Sequence, residues 1–126
     1  MKMNNRLKFR VWDFFHKQWI TGAAIELNGC IINTSFAEPE TNCVALQYTG
    51  LTDSNDDPIY EGDILKNHYD VGNNIIGQVL YESDHGGYIF QWKRRGQDYK
   101  ITNLNCDVAF ESVIVGNIFE NSELLK

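Results

Sequence analysis

Residues 46–66 read LQYTGLTDSNDDPIYEGDILK, which places an acidic turn between two apolar strand patterns. Asp53, Asn55 and Asp57 stand at alternate positions, as the first ligands of an EF-hand calcium loop do. Proline and isoleucine stand where that loop requires glycine and glutamate, so the sequence argues against this calcium site. Asp and Asn side chains bond to their own backbone and Gly62 permits a sharp bend, which predicts a structural turn instead.

The surrounding chain has the periodicity of two that half-buried β-strands require. Residues 7–12, LKFRVW, alternate in this way, and Asn28-Gly29 between apolar runs predicts a two-residue hairpin turn. This turn would place Ile25 opposite Ile32 on the neighbouring strand. About nine short strands separated by frequent turn signals favour a barrel or a sandwich.

The chain is predicted to form one domain over residues 1–126, because its length suits a single core and no repeat or linker interrupts it. We expect N-terminal strands and a hairpin over residues 1–43, followed by a barrel over residues 44–120. Residues 121–126 are expected to form a short helical tail that Asn121 caps. The predicted class is therefore all-β, a small barrel in the C-terminal half with an N-terminal β-hairpin extension.

The distribution of charge gives two small basic regions in an acidic protein. The formal net charge is −6, which argues against a protein that neutralises nucleic-acid phosphates over a large surface. The region of residues 1–20 is basic nonetheless, and Lys93, Arg94 and Arg95 form a second basic turn. We interpret both regions primarily as solvated surface, with a nucleic-acid contact as the alternative.

Three widely spaced cysteines, Cys30, Cys43 and Cys106, predict free thiols in a reducing compartment. The N-terminal residues lack the apolar run of a signal peptide, and no apolar segment is long enough to span a membrane. We therefore expect a cytoplasmic protein with no membrane partner.

Patterns that carry catalysis or metal binding are weak in this sequence. The cysteines and histidines have no zinc-ligand spacing, so we expect no metal and no cofactor. Ser83, Asp84 and His85 are adjacent on one predicted turn, where the members of a catalytic triad rarely reach one another. Glu61 and Asp63 remain as an acid–base pair and define a weaker alternative, a hydrolase with a carboxylate site. The leading expectation is that the protein is not an enzyme.

Aromatic residues alternate along the predicted strand over residues 88–93, with Tyr88, Phe90 and Trp92 on one face. Aromatic rings beside cations hold single-stranded nucleic acid in some barrels and extended peptides in SH3-like grooves. The favoured interpretation is that these rings fill the barrel interior. Trp12 faces away from the apolar side of its strand, which predicts an exposed or interface ring. The candidate binding surface comprises Trp12, Tyr88, Trp92, Lys93, Arg94 and Arg95.

Three stretches of this chain form a recognisable set: QYTGLTDSNDDPIYEGDIL, KFRVWD with Lys17 and Trp19 after it, and VIVGNIFENSELL. They resemble, in turn, the signature, the N-terminal strand and turn, and the ending of the YopX family of small phage and prophage proteins. The chain departs from the family pattern at Asn55-Asp56 and at Ser122, which are turn and cap positions. The resemblance implies a YopX-like all-β domain whose C-terminal half is an SH3-like barrel, and a phage or prophage origin. It brings no established activity, cofactor or catalytic residue.

These observations lead to three hypotheses of function. The first is a non-enzymatic accessory protein that binds a host or phage protein through its barrel surface. It includes self-association through a sheet edge, which would give a homodimer. The second is a nucleic-acid-binding barrel that uses the basic N-terminal strand and the turn Lys93–Arg95. The third is the hydrolase with its site at Glu61 and Asp63.

Overall fold

The computed structural model describes residues 8–20, 23–25, 31–33, 38–39, 42–68, 75–94 and 96–126 of the chain. Antiparallel strands dominate these residues, and the all-β prediction is confirmed. The elements are β1 (Phe9–Asp13), β2 (Gln18–Ile20), β3 (Ala23–Ile25), β4 (Ile31–Asn33), β5 (Glu38–Pro39), β6 (Cys43–Thr52), β7 (Pro58–Tyr60), β8 (Asp63–Asn67), β9 (Ile75–Glu82), β10 (Gly87–Lys93), β11 (Lys100–Asn103), α1 (Cys106–Phe110) and β12 (Ser112–Asn117).

The first sheet joins the N-terminal hairpin to the strand that precedes the acidic turn, in the order β2-β1-β6-β7. Trp12 of β1 pairs with Trp19 of β2 on one side and with Val44 of β6 on the other. Both edges of β1 are therefore covered, and the successive residues Val11 and Trp12 are both buried although they point to opposite faces. The N-terminal strand is thus an interior strand of its sheet.

The second sheet has five strands in the order β11-β10-β9-β8-β12 and curls into a half-barrel. Its core includes the buried side chains of Ile59, Leu65 and Phe90. At Gly77 an added Cβ would lie 2.3 Å from the Gln91 carbonyl oxygen, so the close approach of β9 and β10 requires glycine. The prediction of an SH3-like barrel in the C-terminal half is confirmed in this form.

A third sheet of three strands has the order β3-β4-β5. The predicted hairpin of β3 and β4 is present, but its register is not the predicted one, because Ile25 pairs with Ile31 rather than with Ile32. The Asn-Gly pair on which that prediction rested lies outside the described residues.

Three short helical segments complete the described part of the fold, and the first is a 3₁₀ turn at Ser83–His85. α1 follows Asn105, whose side chain accepts a hydrogen bond from the Val108 N–H at 2.9 Å. A 3₁₀ turn occupies Ser122–Leu125. Asn121 holds the predicted N-cap position, but its side chain makes no capping bond, because it accepts from the Asn117 N–H instead.

Candidate binding surface

Asp53 organises the acidic turn between β6 and β7. It is 4% exposed, and its Oδ1 accepts hydrogen bonds from the N–H groups of Asn55 and Asp57, both at 2.9 Å. Its Oδ2 accepts from the Ile114 N–H on β12 at 3.0 Å. Three backbone donors thus occupy this carboxylate, which anchors the turn to the half-barrel.

Glu61 and Asp63, the predicted acid–base pair, bond to different backbone segments. Glu61 Oε2 accepts from the Gln47 N–H at 3.2 Å, and Asp63 Oδ2 accepts from the Tyr60 N–H at 2.8 Å. Asp63 is 2% exposed, and this burial raises the pKa of its carboxyl, while the charge of Arg10 opposes the shift. Both carboxylates therefore hold the fold together.

Gly62 makes the bend between these two carboxylates. Its φ is +85°, a conformation that glycine adopts without strain. Its N–H donates to the Val79 carbonyl oxygen at 2.9 Å, and its own carbonyl accepts from the Ile118 N–H at 2.8 Å. A Cβ here would lie 3.2 Å from the Phe119 ring, so the bend packs tightly against the C-terminal segment.

Trp12 lies in a buried aromatic cluster, so the prediction of an exposed ring is wrong. Trp12 is 4% exposed, and its ring packs edge-on against Trp19 at 4.9 Å and stacks on Phe119 at 5.4 Å. The prediction fails because these rings cover the face of β1 that the alternation assigned to solvent. In the turn that follows β1, Phe14 and Phe15 are exposed instead.

The three aromatic rings of β10 lie in the core or pack against it. Phe90 is buried in the core, and the partly exposed rings of Tyr88 and Trp92 pack against the same cluster, in agreement with the interior interpretation. Tyr88 is half-buried, and its hydroxyl donates to Gln47 Oε1 on β6 at 3.0 Å. Trp92 is also half-buried but lies at the opposite end of the strand. Tyr88 and Trp92 therefore do not form one site.

Trp92 and neighbouring cations gather at the end of the β10–β11 hairpin, with Trp92 and Lys93 on opposite faces of the strand. Lys100 Nζ lies 5.4 Å and Arg94 Cζ 5.8 Å from the centroid of the Trp92 ring system. Lys93 Nζ lies 4.8 Å from the centroid of the Tyr99 ring. The predicted site residue Arg95 lies outside the described residues. We define the hairpin surface as Trp92, Lys93, Arg94, Tyr99 and Lys100.

The hairpin surface borders a cleft of about 680 Å³ between the five-stranded sheet and α1. Ile75, Trp92 and Val108 contribute apolar walls, while Asp107 and Glu111 place two carboxylates on the α1 side. A volume of this size accommodates a small molecule or a few side chains of a partner. The cleft thus combines an apolar interior with charges of both signs at its margin.

Several residues of this site were not singled out from the sequence. Lys100 and Thr102 share a face with Trp92 because β10 and β11 pair Trp92 with Lys100, a register that the sequence does not specify. Asp107 reaches the cleft through α1. The sequence signal for this five-residue helix is Asn105 at its N-cap position, which is easily overlooked in a β-rich chain.

In the part of the chain that the structure describes, the other candidate catalytic and metal-binding side chains do not form a common site. Ser83, Asp84 and His85 lie on an exposed 3₁₀ turn between β9 and β10. Within the described residues, no group of three or more His, Cys, Asp and Glu side chains is placed to hold a metal ion. No helix in the described ranges is long and apolar enough to cross a membrane.

Comparison with known proteins relates the whole chain to one family. The family model described as YopX protein matches residues 8–126. Among solved structures, this chain is similar to protein EF1440 from Enterococcus faecalis, with 25% identity and a TM-score of 0.65 over 94% of this chain and 97% of that one. Comparison with curated proteins gave no match.

Proposed function

Because this chain belongs to the YopX family, we propose that it is a phage or prophage accessory protein that acts in the host cytoplasm. It binds a partner protein of the host or the phage and does not catalyse a reaction. The observation that carries this proposal is the placement of Trp92, which lines the cleft beside the cations of Arg94 and Lys100.

Trp92 has the properties of an interface anchor. Its Nε1–H donates to Thr102 Oγ1 at 2.9 Å, so a partner that covers the ring leaves no polar group unsatisfied. The same bond holds the ring in place before binding and reduces the cost of ordering it. Tryptophan and arginine in pre-formed pockets dominate the energetics of many protein interfaces. The flanking charges then orient the partner and speed its association.

A second candidate is the binding of single-stranded nucleic acid, and the cation–ring pairs of the hairpin surface are the observation that favours it. Such surfaces stack bases on rings and hold phosphates with cations. The net charge of −6 and the carboxylates of Asp107 and Glu111 in the same cleft weigh against phosphate binding. The basic N-terminal strand adds little to it, because Arg10 is engaged by Asp63.

The experiment that tests the protein-binding proposal is capture of partners by the tagged chain from a bacterial host lysate, with and without nuclease, read by mass spectrometry. We expect a stoichiometric protein that survives nuclease and is lost with Trp92→Ala. Phe15→Ala is the matched control, because it removes a ring that is 75% exposed in a different turn. Failure to capture a protein, or equal capture by Trp92→Ala, would show that the proposal is wrong.

The nucleic-acid candidate predicts a different outcome of the same capture. The captured partners would disappear with nuclease, and Lys100→Glu would weaken binding of a labelled single strand. Affinity for that strand would also fall steeply as salt rises, because bound phosphates release counterions. A flat salt response removes this candidate.

A further inference from the structure

We propose that the partner segment binds as an additional β-strand along β11, and that this segment is extended and acidic. The inference rests on the proposed protein-binding function. Beyond that function, the inference specifies where the partner's backbone binds and the sign of the partner's charge. In this mode of recognition, a sheet edge supplies main-chain hydrogen bonds and adjoining pockets select the side chains.

The two edges of the five-stranded sheet differ in their protection. At the β12 edge, the Ser112 carbonyl oxygen accepts from the Ser54 N–H at 2.9 Å, and the Ile114 N–H donates to Asp53. The pairing of β12 is also irregular between Ile114 and Gly116, as at a β-bulge. The backbone of β12 is therefore engaged within the chain and is unsuited to accept another strand.

The β11 edge has backbone groups that point outward. Among the described strands β11 pairs with β10 alone, and it contains neither proline nor a bulge. The Leu104 N–H donates to the Tyr88 carbonyl oxygen at 3.1 Å. Since successive residues of a strand direct their backbone groups to alternate sides, Thr102 also faces β10, while Ile101 and Asn103 face away. A partner strand would bond to these two residues.

The side chains of an added strand would meet two different environments. Residues paired across a sheet share a face, so Lys100 and Thr102 lie on the face of Trp92, which borders the cleft. Ile101 lies on the other face and is 50% exposed. Every second residue of the added strand therefore lies beside Lys100 and the cleft, and the others lie beside Ile101.

The charge of the hairpin surface selects an acidic segment. Lys93, Arg94 and Lys100 bring three cations to the sheet side of the cleft, next to β11, whereas the carboxylates of Asp107 and Glu111 lie on the α1 side. Opposite charges on neighbouring strands stabilise their pairing, and like charges oppose it. The β11 strand of a second copy, KITN, offers no carboxylate to these cations, so an acidic partner is favoured over a homodimer through β11.

Selection from a displayed library of random peptides of about ten residues tests this binding mode. We expect peptides selected on the wild type to carry Asp or Glu at alternate positions. Asn103→Pro removes one outward N–H and should weaken their binding roughly tenfold. Lys100→Glu should shift the selection towards basic peptides. If circular dichroism shows that Asn103→Pro is unfolded, the result for Lys100→Glu still tests the binding mode.

The outcomes separate strand addition from the proposed function. Peptides that require Trp92 but bind Asn103→Pro with full affinity overturn strand addition and leave protein binding at the cleft intact. Selected peptides without acidic enrichment, or no selected peptide at all, also overturn strand addition. Sedimentation could also show that the wild type is a dimer and that Asn103→Pro dissociates it. In that case β11 binds a second copy of this chain, and strand addition by an acidic partner is overturned. Failure of lysate capture overturns the proposed function itself.

Discussion

The Arg10 guanidinium donates to the Asp63 carboxylate at 2.5 Å and lies 4.4 Å and 4.8 Å from the ring centroids of Trp19 and Tyr60. Arg10 belongs to β1 and Asp63 begins β8, so this ion pair joins the N-terminal hairpin to the half-barrel. The Trp19 indole N–H donates to Glu120 in the C-terminal segment at 2.8 Å. The three stretches of sequence that resemble the YopX family therefore meet at one place.

Replacing Arg10 by alanine should lower the free energy of unfolding by about 3 kcal/mol, because Asp63 stays buried without its partner. Burial already raises the pKa of Asp63 above 3.8, and loss of the opposing Arg10 charge raises it further. A carboxyl whose pKa is raised in the folded state favours folding at low pH. This contribution is lost as the pH rises through the folded-state pKa. The deficit of Arg10→Ala should therefore shrink on acidification, as measured by urea unfolding at several pH values.

The control for the Arg10 prediction is the double variant Arg10→Ala with Asp63→Asn. It removes the buried charge together with its partner, so it should recover part of the lost stability and show less dependence on pH. An Arg10→Ala deficit that stays the same at every pH would contradict the role assigned to this ion pair.

Gly62→Ala should destabilise the protein by about 2–3 kcal/mol, because it combines positive φ with a collision against the Phe119 ring. Gly86→Ala is the matched control, since Gly86 has φ of +65° but open space around an added Cβ. The control should lose about 1 kcal/mol from backbone strain alone. Thermal unfolding measures both, and equal losses would show that packing against Phe119 contributes nothing.

Asp53→Ala should lower the free energy of unfolding by about 3 kcal/mol, because three backbone N–H groups lose their acceptor. Asp56→Asn is the control, because Asp56 is exposed and asparagine tolerates its φ of +66°. The control should change stability by less than about 0.5 kcal/mol in the same denaturant titration. A small loss for Asp53→Ala would show that the turn forms without this carboxylate.

Asp13 stabilises the turn after β1, where it accepts from the Phe15 N–H at 2.9 Å and contacts the His16 ring at 2.6 Å. The bond with the His16 side chain lowers the pKa of Asp13 below 3.8, although burial opposes the shift. A carboxyl whose pKa is lowered in the folded state stabilises the protein at pH values above its unfolded-state pKa. This stabilisation is lost as the pH falls through the folded-state pKa. The stability advantage of the wild type over Asp13→Asn should therefore shrink below pH 3.8.

Thermal unfolding followed by circular dichroism across the acidic range measures this difference. His16→Ala is the companion variant, because it should return the pKa of Asp13 towards its ordinary value and so reduce the stability that acidification removes. An advantage of the wild type that grows on acidification would contradict the assignment.

Strands of the C-terminal half were predictable, because each is short, has an apolar segment or an alternation of aromatic residues, and is bounded by a turn signal. Asp63–Asn67 and Gly87–Lys93 are examples. The burial of Trp12 was not predictable from its own strand, since Phe119 packs on it from the opposite end of the chain. Local alternation reports which face is apolar but not what covers the other face.

The candidate site was predictable only where its residues are neighbours in sequence. Trp92, Lys93 and Arg94 lie together for that reason. Lys100 joins them through the pairing register of β10 and β11, and Asp107 through a five-residue helix. Register and helix position depend on tertiary packing, which a single sequence does not reveal.

Hydrogen exchange of the chain, measured with and without its captured partner, shows whether a partner protein binds the hairpin surface. We expect slower exchange in the complex over Gly87–Lys93 and Lys100–Asn103, because bound strands are protected from opening. Exchange in the turn that carries Phe14 and Phe15 should not change. Protection confined to that turn or to the N-terminal sheet, with none in β10 and β11, would contradict binding at the hairpin surface.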